Sequence, residues 1–356
     1  MTTPAALVDG PRVKVARMAP SVLGLSLMFL GVAFVLGVSI GAVRLGTAGV
    51  VSELVDRLPL IDVGSGLSSQ DAAILWELRV PRVVLGGLVG AMLAVAGAAY
   101  QGAFRNPLAD PYLLGVAAGA GLGATLAIAY LPDPEGWPID PVPLAAFVGA
   151  LASVAATYAL GRSSLSTRTA ATLILAGVAI ASFLTALQTF VQQREAETLQ
   201  RVYAWILGGL ATTGWREVTL ILPYLLVSVV VILLHRRLLD VLTLGDEETD
   251  ALGLKAGRVR LIVVIAASLG TAAAVSVSGL IAFVGIIVPH TVRLLFGSSY
   301  RVILPTAIVC GAGFLIIADL IARTSLAPAE IPIGVVTAFF GAPFFVIVLR
   351  TTRRLI

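Results

Sequence analysis

The chain has 356 residues, of which 58% are apolar and 12% charged, and its mean hydropathy is +1.00; a soluble domain carries roughly 25% charged residues. This composition excludes an ordinary soluble domain and predicts a membrane protein. The excess of 24 Lys and Arg over 20 Asp and Glu is too small to point to nucleic acid, so the placement of the charges says more than their number.

An α-helix rising 1.5 Å per residue needs about 20 apolar residues to cross a hydrocarbon core of about 30 Å. Runs of that length recur along the whole chain. A β-barrel would instead show short segments of alternating polarity, whereas Ala145 to Leu160 and Val218 to Leu234 are apolar on every face. The reading is an all-α polytopic membrane protein of about ten transmembrane helices. In chain order these fall at about 20–42, 83–104, 112–131, 143–161, 169–192, 217–236, 259–278, 281–296, 302–323 and 331–349.

The first run follows Arg12, Lys14 and Arg17 as a signal peptide would, but its apolar stretch is too long and lacks a cleavage site. It is expected to be a retained helix behind a tail of residues 1–19. The longest segment between spans, about 43 to 80, mixes Gly, Ser and charges with short amphipathic stretches and is too small for a soluble domain. Residues 20–356 therefore read as one membrane domain. Many of the 36 glycines lie inside apolar runs, where small residues let helix backbones approach closely. Gly97 and Gly279 each precede a proline, Pro107 and Pro289, by ten residues; chance accounts for this echo nearly as well as an internal repeat.

Placing the N-terminus in the cytoplasm puts sixteen basic residues on inner segments, Arg105, Arg236, Lys255 and Arg301 among them, and leaves eight outside, including Arg79, Arg82 and Arg323. The positive-inside rule accepts that orientation, with both termini cytoplasmic. Asp133, Glu135 and Asp140 crowd one outer loop, although acidic residues count little in the rule.

Much familiar chemistry is missing. The sequence has no G-x-x-x-x-G-K-[ST] phosphate loop, and lysine occurs only at positions 14 and 255, so any ATP must be hydrolysed by a partner. The two histidines, His235 and His290, form no H-E-x-x-H pattern, and Cys310 has no partner for a disulfide or a metal cluster. An intramembrane serine protease would need more than a Ser near His290, and no G-x-S-x-G turn is present. A proton-coupled carrier would bury carboxylates midway through its spans, whereas the spans contain essentially only Asp319, near an end.

Several motifs follow one another in order. Leu78-Arg79-Val80-Pro81-Arg82 leads into a Gly/Ala-rich span and Gln101, then Arg105-Asn106-Pro107-Leu108-Ala109-Asp110-Pro111 and Leu114-Gly115-Val116. Trp205 to Leu210 comes next, then Leu244-Gly245 with Leu252-Gly253. The last third holds Phe283-Val284-Gly285, Val288-Pro289-His290, Ala318-Asp319, Ala322-Arg323, Glu330-Ile331-Pro332-Ile333-Gly334 and Gly341-Ala342-Pro343-Phe344. From about 78 to 350 the chain resembles the iron-siderophore, haem and cobalamin (FecCD-type) permeases of binding-protein-dependent ATP-binding cassette (ABC) importers, which have the type II ABC importer architecture.

That resemblance implies a non-catalytic subunit in a prokaryotic plasma membrane, importing a metal chelate, with iron(III)-siderophore favoured over cobalamin or haem. It implies a second permease copy or close paralogue, two ATPase subunits that bind the ATP and Mg, an extracytoplasmic substrate-binding protein, and no cofactor in this chain. The segment at about 243–257, with Leu244, Gly245, Thr249, Leu252 and Gly253, corresponds to the cytoplasmic coupling loop; Thr249 stands where the family usually has Ala. Asn106 and Leu108, with Ser166 and Thr167, correspond to a cytoplasmic gate, the alternative being a helix-breaking turn. Arg79, Arg82 and Arg323 correspond to arginines that receive glutamates of the binding protein. Snorkelling to headgroups and an i, i+4 pair of Arg323 with Asp319 remain open beside that role. Gly115, Gly119 and Gly123 form two G-x-x-x-G steps that serve either close packing or a thin pore wall.

Overall fold

The computed structural model describes residues 18–41, 43, 45–57, 64, 66–132, 140–163, 170–210 and 214–352. The apolar helices are α1 (Pro20–Ser39), α2 (Val80–Phe104), α3 (Val116–Tyr130), α4 (Pro141–Ser163), α5 (Ala170–Arg194), α6 (Trp215–Leu234), α7 (Ala256–Ser278), α8 (Val284–Phe296), α9 (Tyr300–Thr324) and α10 (Ile333–Thr352). Among the described residues, seven are long and apolar enough to cross a membrane, and α3, α8 and α10 are apolar helices of shorter span. All ten coincide with the expected spans.

The second departs most from its expected limits, because its helix begins at Ser69 and runs unbroken to Phe104. Ser68 caps this extension, its Oγ accepting the Asp71 N–H at 3.1 Å. Pro81 has no N–H to give to the turn below it. The chain answers with a π turn over Ile74–Arg79, where the Val80 N–H reaches back five residues to the Leu75 carbonyl. That turn sets the azimuth at which Arg79 and Arg82 leave the helix.

Helix α2 is the axis of the fold, buried along almost its whole length and packed against α9, α7 and α8. Alanine and glycine make this closeness feasible. A Cβ on Gly97 would collide with the Gly285 carbonyl of α8. Helices α3 and α4 meet in the same way, since a Cβ on Gly119 would strike the Gly149 carbonyl and one on Gly149 the Gly119 carbonyl. The outer helices α1, α5 and α10 keep large apolar side chains exposed, among them Met28, Phe183, Phe190 and Phe339. A bundle that is apolar inside and out fits lipid surroundings.

Candidate coupling, gate and docking sites

One end of the bundle carries the polar segment after α6. A short helix, Arg236–Leu242, leads to Leu244 and then to Gly245 at φ 139°, from which the helix Asp246–Ala251 starts. It ends as glycine dictates. The Gly253 N–H bonds the Asp250 carbonyl at 2.9 Å and the Leu254 N–H bonds the Thr249 carbonyl at 3.2 Å, the paired closure that needs a left-handed residue, here Gly253 at φ 79°. Leu244 and Leu252 are each 62% exposed on this otherwise acidic segment. Thr249 points the other way. It is 1% exposed and its Oγ1 donates back to the Gly245 carbonyl, so the expectation that Thr249 bears on a docking partner is corrected: an inward hydroxyl shapes the segment from beneath.

Asp246 binds this segment to the rest of the bundle. Its carboxylate takes the Arg260 Nη2 of α7 at 2.8 Å and lies 3.3 Å from Arg105, the residue that ends α2. Arg260, 5% exposed, also donates from Nε to the Ala103 carbonyl of α2 at 2.8 Å. Neither Asp246 nor Arg260 stood out in the sequence, where a charge in an exposed acidic run looks like solvated surface.

Arg105 opens the turn between α2 and α3 in a left-handed conformation, φ 51°. Asn106 then folds the chain, its Oδ1 accepting the Leu108 N–H at 3.0 Å and its carbonyl accepting the Ala109 N–H at 3.0 Å. This is the expected helix-breaking turn. Ser166 and Thr167, the other half of the expected gate, lie outside the described residues. Asp110 ends the turn, its Oδ1 accepting the Tyr112 N–H at 2.9 Å, while the Tyr112 hydroxyl donates to the Ile281 carbonyl. Burial pushes the Asp110 carboxyl up to about 6 against the opposing pull of that N–H. Nearby, Arg293 donates to Gln101 Oε1 at 3.0 Å and Gln101 donates to the Gly285 carbonyl, joining α8 to α2.

The opposite end, roughly 35 Å away along α2 at 1.5 Å per residue, gathers the three arginines. Arg79 is 6% exposed and donates to the carbonyls of Val38, Ser39 and Val43, satisfying the end of α1. Arg82 is held on two sides. Nε and Nη2 bond Asp319 at 3.1 and 2.8 Å, while Nη1 and Nη2 bond Glu330 Oε1 and Oε2, each at 2.9 Å. Arg323 donates to the Gly37 carbonyl, and its Nε lies 3.4 Å from Asp319 as the i, i+4 spacing suggested.

The three arginines expected at the outer side thus stand together at one end of the bundle, each with partners in its own chain: carbonyls at the end of α1 for Arg79 and Arg323, two carboxylates for Arg82. Snorkelling to headgroups would require these side chains to leave those partners. Glu330 was visible only as part of a motif, with nothing in the sequence to pair it with Arg82, 248 residues away. The space beside Gly119 and Gly123 is filled by the backbone of α4, so close packing accounts for these two, whereas Gly115 starts α3 in a left-handed conformation at φ 84°.

Comparisons with known proteins bear on the family and the fold. The FecCD transport family matches residues 29–351. The uncharacterised ABC transporter permease YvrB of Bacillus subtilis is 38% identical over 349 residues, 96% of each chain. The cobalamin import system permease BtuC of Halobacterium salinarum is 41% identical over 285 residues, 80% of this chain and 75% of that one. A solved structure described as an inward-facing metal-chelate type ABC transporter superposes with a TM-score of 0.80 at 29% identity, covering 94% of this chain and 100% of the other. A match across the full set of helices, joined to identities of this size, is decisive: the chain belongs to the FecCD transport family.

Proposed function

We propose that this chain is the membrane-spanning subunit of an ATP-driven importer that receives a metal chelate from an extracytoplasmic binding protein and passes it inward by alternating access, without catalysis of its own. Iron(III)-siderophore is the first substrate to test, with cobalamin and haem as the other cargoes of the same chemistry. Two permease copies, or this chain and a paralogue, would frame the path and two ATPase subunits would drive it. In this reading the Asp246 end is cytoplasmic and the Arg82 end faces outward, as the distribution of basic residues favours.

One observation carries the reading: an acidic, solvent-facing segment presents two exposed leucines, Leu244 and Leu252, and is bolted through Asp246 to α7 and the end of α2. Exposed apolar side chains on a polar loop are suited to a groove in another protein. Closure of the ATPase pair on ATP would push this segment, and the Asp246 pairs would pass the push to α2 and α7 as rigid bodies. The turn at Asn106 and Leu108, on the same end, would serve as the inner gate together with Ser166 and Thr167.

The test is Leu252→Asp in the importer reconstituted in liposomes. Leu252 makes little contact with its own chain, so folding and insertion should be retained. Uptake and substrate-stimulated hydrolysis should fall about tenfold or more, in line with coupling energies of 1–3 kcal/mol. Normal stimulation and uptake would remove the segment from the coupling pathway, and transport by the purified permease alone would overturn the importer reading itself.

A further inference from the structure

The connection between α9 and α10 holds a carboxylate that docking alone does not account for. Arg82 has five N–H groups. Asp319, 2% exposed, engages Nε and Nη2, and fixes the guanidinium from within. Glu330, its side chain 39% exposed, takes Nη1 and Nη2 in a parallel fork-to-fork pair at 2.9 Å each. That leaves one N–H. An arriving carboxylate can gain the bidentate geometry that makes such pairs strong and specific only by taking the place of Glu330. The hydrogen bonds from Arg82 hold the Glu330 carboxyl below the usual carboxylate range, so the resident is an ionised competitor.

Glu330 also adjoins the anchor of α10. The next residues anchor the start of α10: the Ile331 N–H bonds the Ala322 carbonyl at 2.9 Å, the Ile333 N–H bonds the Gly208 carbonyl at 3.2 Å and the Gly334 N–H bonds the Leu207 carbonyl at 3.0 Å. Loss of the Arg82–Glu330 pair would free the α9–α10 connection from the start of α2, while Asp319 still held the end of α9 to Arg82.

We propose that Glu330 is the resident occupant of the docking fork on Arg82, exchanged for a carboxylate on the surface of the binding protein, and that the exchange loosens the α9–α10 connection. The proposal rests on the outward placement of the Arg82 end proposed above and on the docking role that the family resemblance implies for Arg82. One carboxylate leaves as another arrives, so Arg82 remains neutralised throughout and the released Glu330 regains water. An internal competitor lowers the apparent affinity of any partner. It thereby favours a partner that presents a carboxylate at the matching position over one that merely carries negative charge.

The importer assembled in lipid nanodiscs, and the binding protein that stimulates its ATP hydrolysis, provide the test by surface plasmon resonance. Glu330→Gln removes the ionic competitor and leaves Asp319 in place, so affinity should rise about three- to tenfold, the size of a freed charge-assisted pair. Arg82→Lys keeps a charge for Asp319 but loses the fork, and affinity should fall about tenfold. The double variant should show no gain over Arg82→Lys. Unchanged or weaker binding by Glu330→Gln, with Arg82→Lys weakened, overturns the exchange and leaves docking standing. An equal gain in the Arg82→Lys background overturns it too, because Glu330 would then act only through the general field. Unchanged binding by Arg82→Lys overturns the docking role itself. Amide exchange of the unmodified importer needs no variant: Ile333 and Gly334 should exchange faster when the binding protein is docked, and equal exchange overturns the release.

Discussion

In the proposed coupling, Asp246 is the residue on which transmission most directly depends. Its carboxylate touches two arginines that belong to different helices, with Arg260 at 2.8 Å and Arg105 at 3.3 Å, and Arg105 immediately precedes the Asn106 turn. Arg260 is nearly buried, so removal of its counter-charge leaves a cation held, among the described residues, by the Ala103 carbonyl alone, the costly half of a broken pair. Asp246→Asn keeps the shape and one acceptor oxygen but loses the charge. Uptake should fall about fivefold or more while ATP hydrolysis by the assembled complex persists, because the leucines at the presumed groove are untouched. Measuring both on one preparation separates uncoupling, which lowers uptake alone, from loss of assembly, which would lower the two together; full uptake with the Asn variant would show that the Asp246 pairs transmit nothing. Asp110, three residues beyond Pro107, has its ionised form disfavoured by burial, so it contributes no comparable link.

At the scale of the element, α2 shows how a run of small residues is used. Gly90, Gly97 and Gly102 each admit a neighbour that a side chain would exclude, and at Gly97 that neighbour is the Gly285 backbone. A rigid carbonyl cannot move aside as a flexible side chain would, so Gly97→Val should destabilise the permease by about 1–3 kcal/mol or more through overpacking. Gly24 in α1, with nothing near its missing Cβ, is the control: Gly24→Ala should be neutral or slightly stabilising. Thermal unfolding in detergent followed by size-exclusion fluorescence checks both, and equal midpoints for the two variants would remove the close-contact account. The ten apolar helices were legible in the sequence because hydropathy records what lipid demands. The extension of the second span back to Ser69 was not, since Gln70, Asp71, Glu77, Arg79 and Arg82 lower the local average although the π turn keeps the helix continuous. Motif order located both ends of the site. It did not tell which partners the side chains find: Thr249 turns back to the Gly245 carbonyl, Arg79 to carbonyls at the end of α1, and Arg82 to Asp319 and Glu330.

For the whole molecule, the separation of the two ends makes their functions separable. The acidic segment with Leu252 lies at one end of α2 and the Arg82 cluster at the other, roughly 35 Å apart, several screening lengths at physiological salt. A change at one end therefore has no direct electrostatic effect at the other; any influence must travel through α2 and its packed neighbours. In the proposed orientation, steering of a binding protein depends on the summed charge of the Arg82 end, whereas retention depends on the geometry of the final pair. Arg82→Lys preserves the first and damages the second. Its association rate should match the unmodified importer, and both should fall by a similar factor as salt rises and screens the attraction. Its dissociation rate should be about tenfold faster at every salt concentration, since a point charge cannot reproduce two parallel hydrogen bonds. Substitution of Leu252 by Asp, at the far end, should leave both rates unchanged. If Arg82→Lys instead slows association and leaves dissociation alone, Arg82 contributes only to the field of the surface, and the fork geometry seen with Glu330 serves the fold and not the partner.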